Sequence, residues 1–457
     1  MTHVAIIGGG PGGYEAALVA SQLGAEVTIV DRDGLGGSTV LTDCVPSKTL
    51  IATSDLMTAV AGADELGLRS SASVSADLRA VNERVKSLAL AQSADIARRV
   101  ERENVRVVSG IARLDGPERV VADLEAGGQE ELTADAVLIA TGAHPRVVDS
   151  ARPDGERILT WEQVYDLDAL PEHLVVVGSG VTGAEFAGAY KALGSEVTLV
   201  SSRDRVLPGE DADAARVLEE VFTRRGMNVL SRSRMASVER TGEAVTVTLT
   251  DGRTVEGSHC LLALGSIPNS HDLGLESADV RLGDGDFIEV DKVSRTSARG
   301  VYSAGDCTGV LMLASVAAMQ GRIAMSHALG DAVHPLDLRH VVSNVFTAPE
   351  IATVGCTQKS VDEGIIDAEG VMLNLSGNPR AKMQGVHDGF VKLFCRPGTG
   401  IVVGGVVVGP SASELIHAVS IAVSCSLTVD QVAHAFTVYP AMTGSIAEAA
   451  RRLHVRS

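Results

Sequence analysis

One pattern occurs twice in this chain and limits its fold more than any other feature. An apolar run at 4–7 leads into Gly8-Gly9-Gly10-Pro11-Gly12-Gly13. A helical stretch at 14–23, Gly24 and the run Glu26-Val27-Thr28-Ile29-Val30-Asp31 follow. The pattern returns 170 positions later, at 174–177, with Gly178-Ser179-Gly180-Val181-Thr182-Gly183. A helical stretch at 184–193, Gly194 and Glu196-Val197-Thr198-Leu199-Val200-Ser201 complete the second copy. Such a strand, turn and helix can cradle a pyrophosphate. The first glycine makes the turn and the second lets phosphate approach the backbone. The third lets helix and strand pack, and the helix N-terminus faces the negative charge. A lone GxGxxG is weak evidence, but two in full βαβ context predict two dinucleotide sites.

The remaining chain is read around these units. Residues 1–145 hold the first, with helices expected near 47–62 and 76–103 and a strand at 136–142. Residues 146–270 hold the second. Residues 271–335 contain a strand aimed at Gly305-Asp306 and a helix at 313–329, and 336–457 alternate strand-like and helical runs. With 457 residues, 45% of them apolar, the chain has ample material for several cores. Its formal charge of −19 and 3% aromatic content argue against nucleic acid and anionic lipid as partners. No apolar run is long enough to span a membrane. The run at 401–408 is broken by Gly404 and Gly405 and reads as a buried strand or hairpin. No secretory leader is evident, and the six cysteines form no CxxC pair. Both features point to the cytoplasm and away from a disulfide scaffold or a zinc cluster.

Together these motifs resemble the pyridine nucleotide–disulfide oxidoreductases, such as lipoamide dehydrogenase and glutathione reductase, over nearly the whole chain. The resemblance implies an α/β fold with two Rossmann-like dinucleotide-binding domains and a C-terminal α+β dimerisation domain. It implies FAD in the first unit, NADPH or NADH in the second, and a homodimer. FAD contacts would come from Gly8, Gly10, Pro11, Gly12, Gly13, Asp31, Arg32, Gly37, Ser38, Lys48 and Ala112. Thr141, Gly142, Gly305, Asp306, Leu313 and Ala314 would complete that site. On the nicotinamide side stand Gly178, Gly180, Val181, Thr182, Gly183, Ser201, Ser202, Arg203 and Gly265. A carboxylate at Asp31 suits a ribose with both hydroxyls free. Its counterpart Ser201 does not repel a 2′-phosphate, which Arg203 or Arg205 could pair with. Val181 stands where the family has an aromatic lid. Lys48 and Glu185 match the family's pair beside flavin N5, where a cation stabilises arriving electron density.

Two departures narrow the activity. In Gly36-Gly37-Ser38-Thr39-Val40-Leu41-Thr42-Asp43-Cys44-Val45-Pro46-Ser47-Lys48, the family's second redox cysteine is Cys44, but Thr39 replaces the first. The family's C-terminal His–Glu acid/base segment reads Tyr439-Pro440-Ala441-Met442-Thr443-Gly444. A tyrosine, with a reference pKa of about 10, is a poor base near neutral pH. The thiol relay and its base are lost together. Asp43-Cys44-Val45-Pro46-Ser47-Lys48 is similar to the cysteine-deficient branch that includes NAD(P)H quinone reductases. The expected activity is hydride transfer from NAD(P)H through FAD to a small quinone without a redox disulfide. Lys48, Glu185, Cys44 and Tyr439 are the candidate catalytic residues. The alternatives are a non-catalytic flavoprotein scaffold, a dihydrolipoamide dehydrogenase-like disulfide reductase, a transhydrogenase and an NAD(P)H oxidase. Pro46 and Lys48 would favour a Cys44 thiolate, but for turnover a packing role is the preferred reading, because a single thiol adds no electron-pair store.

Overall fold

The computed structural model describes residues 2–69 and 74–454. It divides into two compact units, each built from separate stretches of chain.

The first unit comprises Met1–Thr49, Asn82–Arg146 and Gly265–Asp337. Its seven-stranded sheet runs in the order Val301–Ser303, Ala136–Ile139, His3–Ile7, Glu26–Asp31, Arg106–Leu114, Arg119–Leu124, Gln129–Thr133. The first five strands are parallel and the last two add antiparallel. Alternate residues face opposite sides of a strand. Ile6, Ile29 and Leu138 therefore enter one core, while Ile7, Val30, Val137 and Ile139 enter the other. Burial on both faces explains why these strands read as continuous apolar runs. The first helix spans Pro11–Gln22, with the proline in its first turn, where a missing N–H costs nothing. Helix Ala314–Ala328 crosses it closely: a Cβ on Gly321 would lie 2.0 Å from the Gly12 carbonyl oxygen. The strand before Asp306 is only Val301–Ser303. Thr296 precedes it as irregular chain, its hydroxyl donating to the Val301 carbonyl at 2.8 Å.

The second unit comprises Leu50–Val81, Val147–Leu264 and Leu338–Ser457. Residues 50–81 are anchored here by Arg79 to Asp168 at 3.2 Å and Glu65 to His387 at 2.7 Å. A parallel five-stranded sheet has the order Asn228–Leu230, Glu196–Val200, His173–Val177, His259–Leu262, Ile158–Thr160. An antiparallel five-stranded sheet follows later in the chain: Val342–Val345, Glu350–Gly355, Val402–Gly409, Phe390–Cys395, Glu369–Asn374. The run at 401–408 becomes the central strand of this sheet. Its glycines admit close neighbours, since a Cβ on Gly404 would lie 2.3 Å from the Cys356 nitrogen. Helices Ala412–Ser424 and Gly444–Arg452 cover the sheet and share its core. Among the described residues, no helix is long and apolar enough to cross a membrane.

Candidate nucleotide-binding sites

The two glycine turns have the same geometry. In the first, Gly8 sits at φ +102°, and a Cβ there would meet the Ala140 oxygen at 2.3 Å. A Cβ on Gly13 would lie 1.9 Å from the Gly8 oxygen. Around Gly10, by contrast, nothing stands within 4 Å of where a Cβ would be. In the second turn, Gly178 faces the Ala263 oxygen at 2.1 Å and Gly183 faces the Gly178 oxygen at 1.8 Å. Gly180 is again open. Two glycines of each turn are thus demanded by the fold. The middle one leaves a backbone cradle that a side chain would fill, at the start of helices Pro11–Gln22 and Val181–Leu193. This is the shape needed to bring a pyrophosphate onto amide N–H groups, so both turns fit a dinucleotide. Val181 opens the second helix and is 42% exposed, with Thr182 beside it.

At the strand ends the copies differ. The Asp31 carboxylate accepts the Gly9 N–H at 2.6 Å, the Asp33 N–H at 3.0 Å and the Gly34 N–H at 2.6 Å. These bonds fix its orientation beside the turn. Arg32 is drawn to Asp33 at 2.7 Å. Ser201 is fully buried, and its hydroxyl lies 2.6 Å from that of Ser179 inside the glycine turn. Its oxygen also receives the Arg203 N–H at 3.1 Å. Ser201 therefore holds the loop inward, while Ser202 and Arg203 are exposed and Arg205 is half-buried. The Arg205 Nε is buried without a hydrogen-bond partner.

Other predicted flavin residues converge on the first unit. A Cβ on Gly37 would lie 2.9 Å from the Gly10 Cα, so the short helix Gly37–Leu41 that carries Ser38 abuts the turn. Ala112 is buried in Arg106–Leu114. Thr141 and Gly142 are tied down by Asn269. The Thr141 hydroxyl donates to the Asn269 carbonyl at 2.6 Å, and the Asn269 amide returns a bond to the Thr141 carbonyl at 2.8 Å. Gly265, expected on the nicotinamide side, instead opens a stretch of the first unit, since the chain returns to that unit's core at this position; at φ +86°, it receives the Arg146 N–H on its carbonyl. Gly305 donates to the Gln320 side chain at 2.9 Å, and Leu313 precedes helix Ala314–Ala328. Asn269 and Gln320 escaped the sequence reading because each acts on a residue distant in the chain.

Asp306 carries an electrostatic load. Burial, then the charge of Asp43, pushes its pKa up from 3.8 to about 6. The folded state therefore holds a proton that the unfolded state has released between these values. Stability of the flavin-free protein contributed by this group is present below 3.8 and lost as pH rises towards about 6. Asp306→Asn should stabilise the flavin-free protein at pH 7 by about 2–3 kcal/mol and flatten its stability between pH 4 and 6. Thermal unfolding across that range measures it, and an unchanged pH slope refutes it.

The predicted chemical residues are distributed as follows. Helix Cys44–Ala61 begins at Cys44 itself, which is half-buried, and Lys48 lies one turn further on. All six cysteines are free thiols. Burial raises the pKa of Cys260 and Cys307 and keeps both as inert thiols. Lys48 belongs to the first unit and Glu185 to the second. Glu185 is only 3% exposed, and its carboxylate accepts the Phe346 N–H at 2.8 Å. Phe346 was invisible to pattern reasoning for the same reason as Asn269. Tyr439 is 82% exposed, in an uncovered segment with Phe436 and Val438.

A fold with two open glycine cradles, an acidic strand end and a Gly-Asp closure defines a class. The chain belongs to the pyridine nucleotide-disulphide oxidoreductases, whose family model matches residues 2–321. The dimerisation-domain model of the same family matches residues 341–450. Within that class, the chain is 55% identical to NAD(P)H dehydrogenase (quinone) of Mycobacterium tuberculosis, over 99% of this chain and 94% of that protein. The crystal structure of LpdA from Mycobacterium tuberculosis superposes with a TM-score of 0.96 at 55% identity, covering 100% of both chains. Dihydrolipoyl dehydrogenase of Bacillus subtilis is 32% identical over 98% of this chain and 97% of its own. The flavoprotein disulfide reductase RclA of Escherichia coli shares the fold, with a TM-score of 0.87 at 22% identity over 98% and 99% of the two chains.

Proposed function

We propose that this protein is an FAD-dependent NAD(P)H:quinone oxidoreductase that works without a redox-active disulfide. The observation that carries this reading is a paired loss beside a paired retention. Thr39 and Tyr439 stand where a thiol relay needs its first cysteine and its base, while both glycine cradles are intact. The 55% identity to a protein named as a quinone dehydrogenase supports it.

FAD in the first cradle supplies two-electron acceptance from a nicotinamide and onward donation to a quinone. The chain's residues bind and orient. The Gly10 backbone admits the pyrophosphate, and Asp31, held by three amides, accepts from the adenosine ribose. Asp306 and the turn at Thr141-Gly142 close on the same site. By the family resemblance, Lys48 would supply positive charge to a bound flavin as electron density arrives. The Glu185 carboxylate is oriented by the Phe346 N–H. Cys44 has a packing role, because a single thiol stores no electron pair. One docking place for the quinone is the side vacated by the disulfide, near Thr39, Cys44 and Tyr439 of the partner subunit; the other is the nicotinamide position once NAD(P)+ has left. The exposed segment with Phe436 and Val438 is covered in a homodimer, and the enzyme works in the cytoplasm.

NADPH oxidation should depend on menadione both in air and under nitrogen. Oxidation in air without quinone would make the protein an oxidase, and no oxidation at all would make it a scaffold. Arg205→Ala should raise KM for NADPH about tenfold and leave KM for NADH unchanged, since it removes a charged donor specific to the 2′-phosphate. Steady-state kinetics with both nucleotides measures this, and equal changes for the two would count against it.

A further inference from the structure

Lys392 lies in the middle of strand Phe390–Cys395 and is 3% exposed. Its ammonium donates to Asp211 at 2.8 and 3.0 Å and to Asp213 at 2.8 Å, so all three of its protons are used. Taking these charges out of water is costly, and an apolar residue in the strand would commonly serve stability as well or better. The retained ion group therefore suggests a positional role. Asp211 is also the N-cap of helix Ala212–Arg224, accepting from the Asp213 and Ala214 amides. The far end of that helix is held to the same part of the chain, by Arg224 to Asp388 and by Arg225 to the Ala348 carbonyl at 3.0 Å. Between these ends, Glu219 accepts the Val206 N–H at 3.1 Å. The next residue, Leu207, donates to the Ser179 carbonyl at 2.8 Å, within the second glycine turn. An unbroken series of bonds thus runs from the C-terminal sheet through one helix to the loop 201–207 and the glycine turn.

We infer that Lys392 is a positioning residue for the nicotinamide nucleotide. It clamps helix Ala212–Arg224 to the C-terminal sheet so that Glu219 holds the loop 201–207 and the glycine turn in register for the ligand. The inference rests on the reading that this turn takes NAD(P)H. Misplacement of a binding loop is expressed in nucleotide affinity, not in the later handling of electrons.

The test uses the flavin-loaded protein and the double variant Lys392→Met/Asp211→Asn, in which asparagine preserves the helix cap. KM for NADPH should rise about tenfold, with kcat within about twofold and flavin content unchanged. Dithionite-reduced enzyme should be reoxidised by menadione at the wild-type rate. Glu219→Leu, which leaves the ion group intact, should reproduce the rise in KM, and Glu219→Gln, which can still accept the Val206 N–H, should keep the wild-type KM. A wild-type KM in Glu219→Leu overturns the inference even where the double variant fails to fold, and so does a wild-type KM in a folded double variant. Failure of NADPH to reduce wild-type flavin removes the underlying reading as well. Normal wild-type reduction with unchanged variants removes the relay alone.

Discussion

Gly13→Ala should lose bound flavin and fold stability together, whereas Gly10→Ala should keep its fold and lose only flavin affinity. The difference follows from what each new methyl would meet. At Gly13 the Cβ would sit 1.9 Å from a backbone oxygen, and no side chain can move to relieve it. Overpacking of this kind costs about 1–3 kcal/mol even in yielding cores, and a backbone clash lies at the upper end or beyond. At Gly10 the Cβ would enter open space, so the polypeptide is undisturbed and only an approaching phosphate is hindered. Flavin absorbance per chain after purification, together with thermal unfolding of the flavin-free proteins, separates the two effects. Equal destabilisation by both substitutions, or full flavin content in Gly13→Ala, would contradict the account. Gly183 and Gly180 should repeat the contrast, read as NADPH affinity in place of flavin content.

Lys48→Met should slow reduction of the flavin by NADPH about 10²–10³-fold, the scale of losing one electrostatic stabiliser in a water-poor site. Flavin content should change little, because the proposed binding groups, the glycine cradle and Asp31, are untouched. Glu185→Gln retains an acceptor for the Phe346 N–H and should fold normally, with a smaller rate loss. Glu185→Leu removes that acceptor and should cost about 1 kcal/mol of stability besides. Stopped-flow bleaching of the flavin under anaerobic conditions resolves these rates. A wild-type rate in Lys48→Met would remove this lysine from the chemistry.

The fold was legible wherever a local rule carried it. The two glycine turns, Gly24 and Gly194, and the period of the apolar runs marked both βαβ units, because turn sterics and strand burial are written in neighbouring residues. Helix Ala412–Ser424 and strand Phe390–Cys395 were readable for the same reason. Bonds between distant segments were not. Asn269 locking Thr141, Phe346 bonding to Glu185, and Lys392 reaching Asp211 leave no periodic trace, since each partner looks ordinary in its own stretch. Residues 50–81 clustering with the second unit are a similar case: helix Cys44–Ala61 runs on without a break across the division. Ser201 was visible as a missing acid, but its turn inward onto Ser179 depends on tertiary packing.

The most direct test of the account is anaerobic titration of the purified, flavin-loaded protein with NADPH, followed by addition of acceptor. A chain with Thr39 in place of the first redox cysteine should take up one electron pair per flavin and return it rapidly to menadione. Uptake of two pairs per flavin, with rapid reduction of lipoamide and none of menadione, would show that a sulfur couple operates after all.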